Sequence, residues 1–192
     1  DENHPLNAQS PYSASKISAD HIAQSFYNSF NLPVVTLRPF NAFGPRQSLR
    51  AIIPTIMGQA INEKKIKVGN LKPTRDFNFV EDIANGFYMT LKSKNKKIFG
   101  EIINLGTGYE ISIKNLLDII KKISNKNLLF KVENKRVRFS KSEVYRLKAS
   151  NKKAMKLIGW KPKYSGYKGL FKALQLTYNW YEKNKEYLSP TF

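Results

Sequence analysis

A twenty-residue stretch able to run unbroken as helix, then a break, then a short apolar run, constrains the fold of this chain most. Pro11 through Phe30 reads as that helix. Ser10 can cap it, and Pro11 suits its first position, where a missing N–H costs nothing. Ile17, Ile22, Phe26 and Phe30 supply much of one apolar side. Asn31-Leu32-Pro33 stops it. Val34-Val35-Thr36-Leu37 follows at once, apolar and β-rich, in the form of a buried parallel strand. Helix, tight loop and buried strand are the rhythm of an α/β sheet with crossover connections.

The rest of the chain continues that rhythm. Helices are predicted over Ile52–Ile61, from Glu81-Asp82 to about Leu91, from a Ser112 cap to about Ile123, over Lys152–Ile158 with Gly159 as stop, and from Gly169 to about Lys183. Strands are predicted at Ile66–Val68, Ile102–Leu105 and Leu128–Val132, and Arg75–Val80 alternates as an extended segment. Glu133 to Leu147 is the one irregular stretch long enough to suggest function. There are no internal repeats and no long linker.

Composition excludes several classes. Hydrophobic residues make up 41% and aromatics 12%, which suits a folded core of this length and not disorder. Cysteine is absent, so there is no disulfide framework and no thiolate metal site. His4 and His21 are too far apart for a helical metal pair, and no metal site is expected. No apolar run approaches the ~20 residues that span a bilayer, and the polar opening Asp1-Glu2-Asn3-His4-Pro5 does not read as a signal peptide. The expectation is a cytoplasmic, reduced setting with no membrane partner.

The formal charge of +19 is one-sided. Residues 1–91 hold nine basic and seven acidic side chains, whereas residues 92–192 hold 24 and seven. A basic field attracts polyanions, nucleic acid included. Yet 21 of those 24 are lysines scattered through amphipathic helices, without the arginines and interleaved aromatics of a nucleic-acid face. Most read as solvated lysine faces, and a nucleotide diphosphate needs only two or three of them.

Tyr12 and Lys16 lie four apart on the first helix and so share a face. A free phenol, with a pKa of ~10, is a poor base at neutral pH, but a neighbouring cation favours its phenolate. Such a tyrosine can take a proton from a sugar or alcohol hydroxyl while a cofactor takes the hydride. By the spacing alone, a packed Tyr beside a surface Lys is the more common arrangement.

Five stretches in order shift that balance: Tyr12-x-x-x-Lys16, Arg38-Pro39-Phe40-Asn41-x-x-Gly44-Pro45, Arg75-Asp76-Phe77-x-x-Val80-x-Asp82, Asn104-Leu105-Gly106-Thr107-Gly108 and Leu157-x-Gly159-Trp160-x-Pro162. In this order the chain resembles the carboxyl-terminal part of an extended short-chain dehydrogenase/reductase, the NAD-dependent epimerase/dehydratase family. Ser142-Glu143-Val144-x-Arg146-Leu147, with Asn151 and Lys153, is most similar to the nucleotide-sugar 4,6-dehydratases.

The resemblance implies an α/β fold: the distal part of a Rossmann-type parallel sheet plus a smaller α/β substrate-binding domain. Residues 1–50 would be the distal part of the NAD domain and residues 51–192 mainly the nucleotide-sugar domain, with about 75–110 returning to the sheet. It implies NAD, or NADP, as cofactor, a nucleotide-diphosphate sugar as substrate, and a homodimer in the full-length form. Tyr12 would be the base at the sugar C4 hydroxyl, and Lys16 would hold the nicotinamide ribose, with Pro39 also at the cofactor. Asn41, Arg75 and Arg138 would meet the diphosphate, Glu143 would lie near the ribose, and Ile52 and Ile53 would line the nucleotide pocket.

Duller readings stand beside these. Asn41 can make a turn, Arg75 can pair with Glu81 or Asp82, and Arg138 can be one more base in a basic tail. Asp82 reads as a helix-start residue rather than a catalyst. Gly159 and Trp160 read as stop and packing residues, and Gly106 and Gly108 do not make a dinucleotide fingerprint.

Departures from the family pattern matter too. No G-x-x-G-x-x-G occurs, and the family's phosphate loop, ribose-binding acid and catalytic Ser or Thr would precede Tyr12. Ser150 stands where relatives usually carry Asp, and Phe139 where they usually carry Pro. The chain thus reads as the distal portion of a longer NAD-dependent 4,6-dehydratase, expected to be inactive in isolation and to bind NAD poorly. A 4-epimerase of the same family is the alternative. A non-catalytic nucleotide-sugar or nucleic-acid binding module is the alternative from another class.

Overall fold

The computed structural model describes residues 1–137, 139 and 142–188. The first helix, α1, runs Pro11–Phe30 as expected. Its start is a reciprocal capping box: Ser13 N–H donates to Ser10 Oγ at 3.1 Å, and Ser10 N–H to Ser13 Oγ at 2.9 Å. Asn31 ends it in the left-handed region, at φ 52°. The expected apolar packing does not appear, since α1 buries no residue and Ile22, Phe26 and Phe30 are exposed. A 2.6 Å bond from Arg38 Nε to Asp20 ties it to the next strand.

That strand, β1, is Thr36–Pro39, two residues later than the apolar run suggested. The shift follows its partner. β6 (Ile102–Leu105) lies parallel to it, pairing Thr36 with Ile102 and Pro39 with Leu105, while Val34 O instead accepts the Gly100 N–H in the loop before β6. Further pairs are short. β2 (Ala42–Phe43) is parallel to β5 (Asn78–Phe79), and β3 (Lys65–Val68) to β8 (Leu129–Val132). β4 (Thr74–Arg75) sits between antiparallel β7 (Ile111–Ser112) and parallel β9 (Arg146–Leu147).

The remaining helices are α2 (Ile52–Asn62), α3 (Val80–Lys92), α4 (Ile113–Ser124), α5 (Lys152–Ile158) and α6 (Gly166–Lys183). Ser112 caps α4, accepting the Asn115 N–H at 3.1 Å, and Gly159 ends α5 at φ 68°. None of the described helices is long and apolar enough to cross a membrane.

Two apolar cores result. The smaller joins Leu37 of β1, Ile103 and Leu105 of β6, Ile83 of α3, Ala154 and Ile158 of α5, and Trp160. The larger packs α2, α4 and α6 on one another, with Ile66 and Val68 of β3 and Phe43, Phe77 and Phe79 beside them. Asp82 links the two. It stands in the first turn of α3, where a negative charge is favoured, and its carboxylate accepts the N–H groups of Lys163 (2.9 Å) and Tyr164 (2.8 Å). Its backbone oxygen accepts the Trp160 indole N–H at 3.0 Å.

Candidate active-site cleft

The carboxyl ends of β1, β3 and β4 open into one cleft of about 670 Å³. Parallel strands present ligand sites at these ends, where the chain leaves the sheet in loops. Pro39 and Asn41 come from the end of β1, and Gln47, Arg50 and Ala51 from the loop after β2. Ile52, Ile53 and Ile56 come from α2, Lys67–Asn70 from β3 and its exit, and Arg75 from β4. Tyr12, Arg136 and Glu143 complete the wall.

The cleft therefore gathers Tyr12, Pro39, Asn41, Ile52, Ile53, Arg75 and Glu143 of the residues named from sequence. Tyr12 is 72% exposed. Lys16 is not on the wall but lies one turn along, its Nζ 5.5 Å from the centre of the Tyr12 ring. Arg138 lies outside the described residues.

Arg75 pairs with neither Glu81 nor Asp82. Its Nη2 meets Glu143 Oε1 at 3.2 Å, and its Nη1 donates to the Thr74 backbone oxygen at 2.8 Å. Asp76, beside it, is fully buried and holds this wall to the rest of the fold. Its two oxygens accept the N–H groups of Thr107 (3.0 Å), Gly108 (2.9 Å) and Ala149 (3.1 Å), and the Thr107 hydroxyl at 2.6 Å.

Two polar atoms on the wall are buried without a partner among the described residues: Asn41 Nδ2, a donor, and Gln47 Oε1, an acceptor. A buried polar group left unpaired costs roughly 1–3 kcal/mol, so both are groups that a ligand can satisfy. The Asn41 backbone oxygen accepts the Asn78 N–H beside the β2–β5 pair, and the duller reading of Asn41 as a turn residue does not account for its side chain.

Sequence reasoning missed Gln47 and three cations, Arg50, Lys67 and Arg136. Gln47 and Arg50 lie just beyond the Gly44-Pro45 motif, and the Lys65–Val68 alternation puts Lys67 opposite the buried Ile66 and Val68. Nothing local marks Arg136. It reaches the cleft because β8 runs beside β3, and Glu133 N–H extends that ladder to Val68 O at 2.9 Å. Among the described residues the wall is thus cationic: Arg50, Lys67, Arg75 and Arg136 line it with one acid, Glu143. Arg136 is partly compensated by Glu133 at 3.1 Å, and that hydrogen bond holds the Glu133 carboxyl below its ordinary value. No cluster of three or more metal-binding side chains occurs among the described residues.

The comparisons fit this geometry. The family model described as GDP-mannose 4,6 dehydratase matches residues 1–172. The chain belongs to that family, one of the NAD-dependent epimerase/dehydratases. It is 34% identical over 188 residues to a putative UDP-glucose 4-epimerase of Methanocaldococcus jannaschii, covering 96% of this chain and 57% of that one. The dTDP-glucose 4,6-dehydratase of Bacillus anthracis, solved with NAD, superposes with a TM-score of 0.82 at 30% identity over 97% of this chain and 56% of its own. The UDP-glucuronic acid 4-epimerase of Bacillus cereus, solved with UDP-glucuronic acid and NAD, gives 0.86 at 27% identity over 96% and 56%. The chain spans about half the length of the curated relatives it matches along most of its own.

Proposed function

We propose that the chain carries the sugar-nucleotide site and the first-step base of an NAD-dependent nucleotide-sugar 4,6-dehydratase. The observation that carries this reading is one cleft with a Tyr/Lys pair at its edge, a cationic wall and an unpaired amide donor, Asn41 Nδ2. A diphosphate with two negative charges suits four cations set against one acid. Arg75 grips the diphosphate through charge-assisted bonds, with Asn41, and with Arg138 as the resemblance implies. Ile52 and Ile53 line the nucleoside side, and Glu143 holds the Arg75 guanidinium.

For the cofactor, the exposed Tyr12 hydroxyl and the Lys16 ammonium on adjacent turns suit a ribose diol, one group donating and accepting and the other only donating, with Pro39 alongside. NAD supplies the hydride acceptor for oxidation at C4. Tyr12 takes the C4 hydroxyl proton, with the Lys16 ammonium one turn along the helix beside its ring. Oxidation at C4 makes the C5 proton acidic, loss of that proton with the C6 hydroxyl expels water, and the hydride taken from C4 would return to C6, so that the net reaction is a dehydration. A 4-epimerase would share the Tyr12 step and differ in product.

The same proposal divides the chain. The smaller core belongs to the distal part of a dinucleotide domain, and the larger core to the sugar-nucleotide domain. The exposed Ile22, Phe26 and Phe30 on α1 support a homodimer through this helix. A cytoplasmic setting, where nucleotide-activated sugars and NAD meet, completes it.

Calorimetric titration of the 192-residue chain with UDP, GDP and dTDP tests the binding half. One of them is expected to bind, and Arg75→Ala to weaken it on the order of tenfold or more, since bonds to charged groups contribute about 1.5–3 kcal/mol. No binding by any of the three, or equal binding by the variant, would refute it. In a longer chain that supplies a glycine-rich dinucleotide loop, Tyr12→Phe should abolish 4-keto sugar formation while the fold persists.

A further inference from the structure

Residues 44–51, between β2 and α2, form a loop that puts Gln47, Arg50 and Ala51 on the cleft wall and leads into Ile52 and Ile53. Its backbone is not relaxed. Arg46 sits in the left-handed region at φ 65°, which costs a side-chain-bearing residue roughly 1–2 kcal/mol. Gln47 turns its Nε2 to the Ala42 oxygen at 2.7 Å and leaves Oε1 buried without a donor. A loop free to move would relieve both costs by swinging that carbonyl into water. Something must hold it.

The hold comes from the far end of the chain. The Arg46 guanidinium lies over the Trp180 ring, 6.0 Å from its centre. The Tyr181 hydroxyl donates to the Gln47 backbone oxygen at 3.0 Å, across 134 residues of sequence. Both aromatics sit in the last turn of α6 and cannot yield easily. Tyr181 is fully buried, and the Trp180 ring is packed between Tyr181 (5.1 Å) and Tyr187 (4.9 Å). On the other flank the Thr55 hydroxyl bonds the oxygens of Leu49 and Ala51, closing the loop onto α2.

We infer that Arg46, Trp180 and Tyr181 are positioning residues for nucleoside-diphosphate binding: the carboxyl end of α6 clamps the loop that walls the cleft. The inference rests on the proposed function for the class of ligand. Neither aromatic lines the cleft, so they act through Gln47 and Arg50 and not by contact.

The test is calorimetric titration of the 192-residue chain with UDP, GDP and dTDP, well below its unfolding midpoint. Tyr181→Phe removes one hydroxyl and keeps the buried ring. Arg46→Ala removes the stacked cation from an exposed position, and Arg46→Lys restores a cation there. Tyr181→Phe and Arg46→Ala should each weaken binding about fivefold, the value of one net hydrogen bond or cation–π contact. Arg46→Lys should recover most of the loss. Leu174→Ala, fully buried in the larger core about two turns before Tyr181 on α6 and not on the cleft wall, should lower the unfolding midpoint and leave affinity unchanged. A chain that binds none of the three nucleotides defeats the proposed function and this inference with it. A chain that binds, with Arg46→Ala or Tyr181→Phe binding equally well, defeats the inference alone.

Discussion

Asp76→Asn probes the cleft's scaffold with almost no change of shape. Oδ1 accepts the Thr107 N–H, the Thr107 hydroxyl and Asn78 Nδ2; Oδ2 accepts the N–H groups of Gly108 and Ala149. Asparagine must turn an NH2 toward one of these groups. The less costly choice loses the Oδ2 pair and faces a donor with two donors. Each stranded N–H costs about 1–3 kcal/mol, so the loss is roughly 2–6 kcal/mol. Removing a buried charge works the other way, because its desolvation is expensive. Here five donors replace the lost water, and the donor term should win. About 4 kcal/mol is a large part of the ~5–15 kcal/mol that holds a domain together. At ~2–4 °C per kcal/mol for a chain of this size, the midpoint should fall by roughly 8–16 °C. Thermal unfolding followed by circular dichroism and by tryptophan fluorescence, with coincident curves, measures it. A midpoint within about 2 °C of the unaltered chain would show that the Asp76 bonds do not hold the Thr74–Arg75 strand to the turn after β6.

Two further outcomes follow from contacts around the same strands. Arg146 and the Thr74 hydroxyl, at 2.6 and 2.7 Å, hold the Glu110 carboxyl down at about 2 against an ordinary 4.5. A folded value below the unfolded one means stability present above pH 4.5 and lost as pH falls toward 2; urea titrations should show the gap between the unaltered chain and Glu110→Gln closing over that window. Gly69→Ala would drive a Cβ into the Arg136 backbone oxygen, so residues 133–137 must shift, at roughly 1–3 kcal/mol in a urea melt and with weaker nucleotide binding.

Elements whose start and stop are written locally were legible in the sequence. α1 agrees at both ends because Ser10-Pro11 and Asn31 act within one turn, and α5 agrees because Gly159 takes a conformation that other residues resist. α6 begins at Gly166, not Gly169, since glycine carries no helix signal to read. β5 and Arg75 of β4 lie within the alternating Arg75–Val80 stretch, but the other two-residue strands were not legible: β7 and β9 have no period of their own and are set by β4 between them. Nor was the Asp76 hub, since its donors lie at 107, 108 and 149 and only the chain's path brings them together. The exposure of α1 was misread for a related reason. An apolar stripe says that a face seeks a partner, not that this chain supplies it.

The site divides along the same line. Tyr12, Asn41 and Arg75 were legible because each belongs to a motif, whereas Lys67 and Arg136 were lost among 33 basic residues. Glu143 was found, but its partner was not, 68 residues away. That pairing gives Glu143 two readings with opposite signs. If it serves the ribose, as the resemblance implies, Glu143→Gln removes a ligand contact and affinity falls. If it holds Arg75, the ligand's diphosphate competes with a carboxylate 3.2 Å from the guanidinium. The pair's side chains are only 15% and 7% exposed, so solvent screens this competition weakly. Removing the acid then takes one carboxylate partner from a largely buried guanidinium, which lowers stability. The diphosphate recovers part of that on binding, and each 1.4 kcal/mol recovered is about tenfold in affinity. The geometry favours the second outcome: Glu143→Gln should unfold at lower urea yet bind nucleoside diphosphate about tenfold more tightly. Weaker binding by the variant would return Glu143 to the ribose.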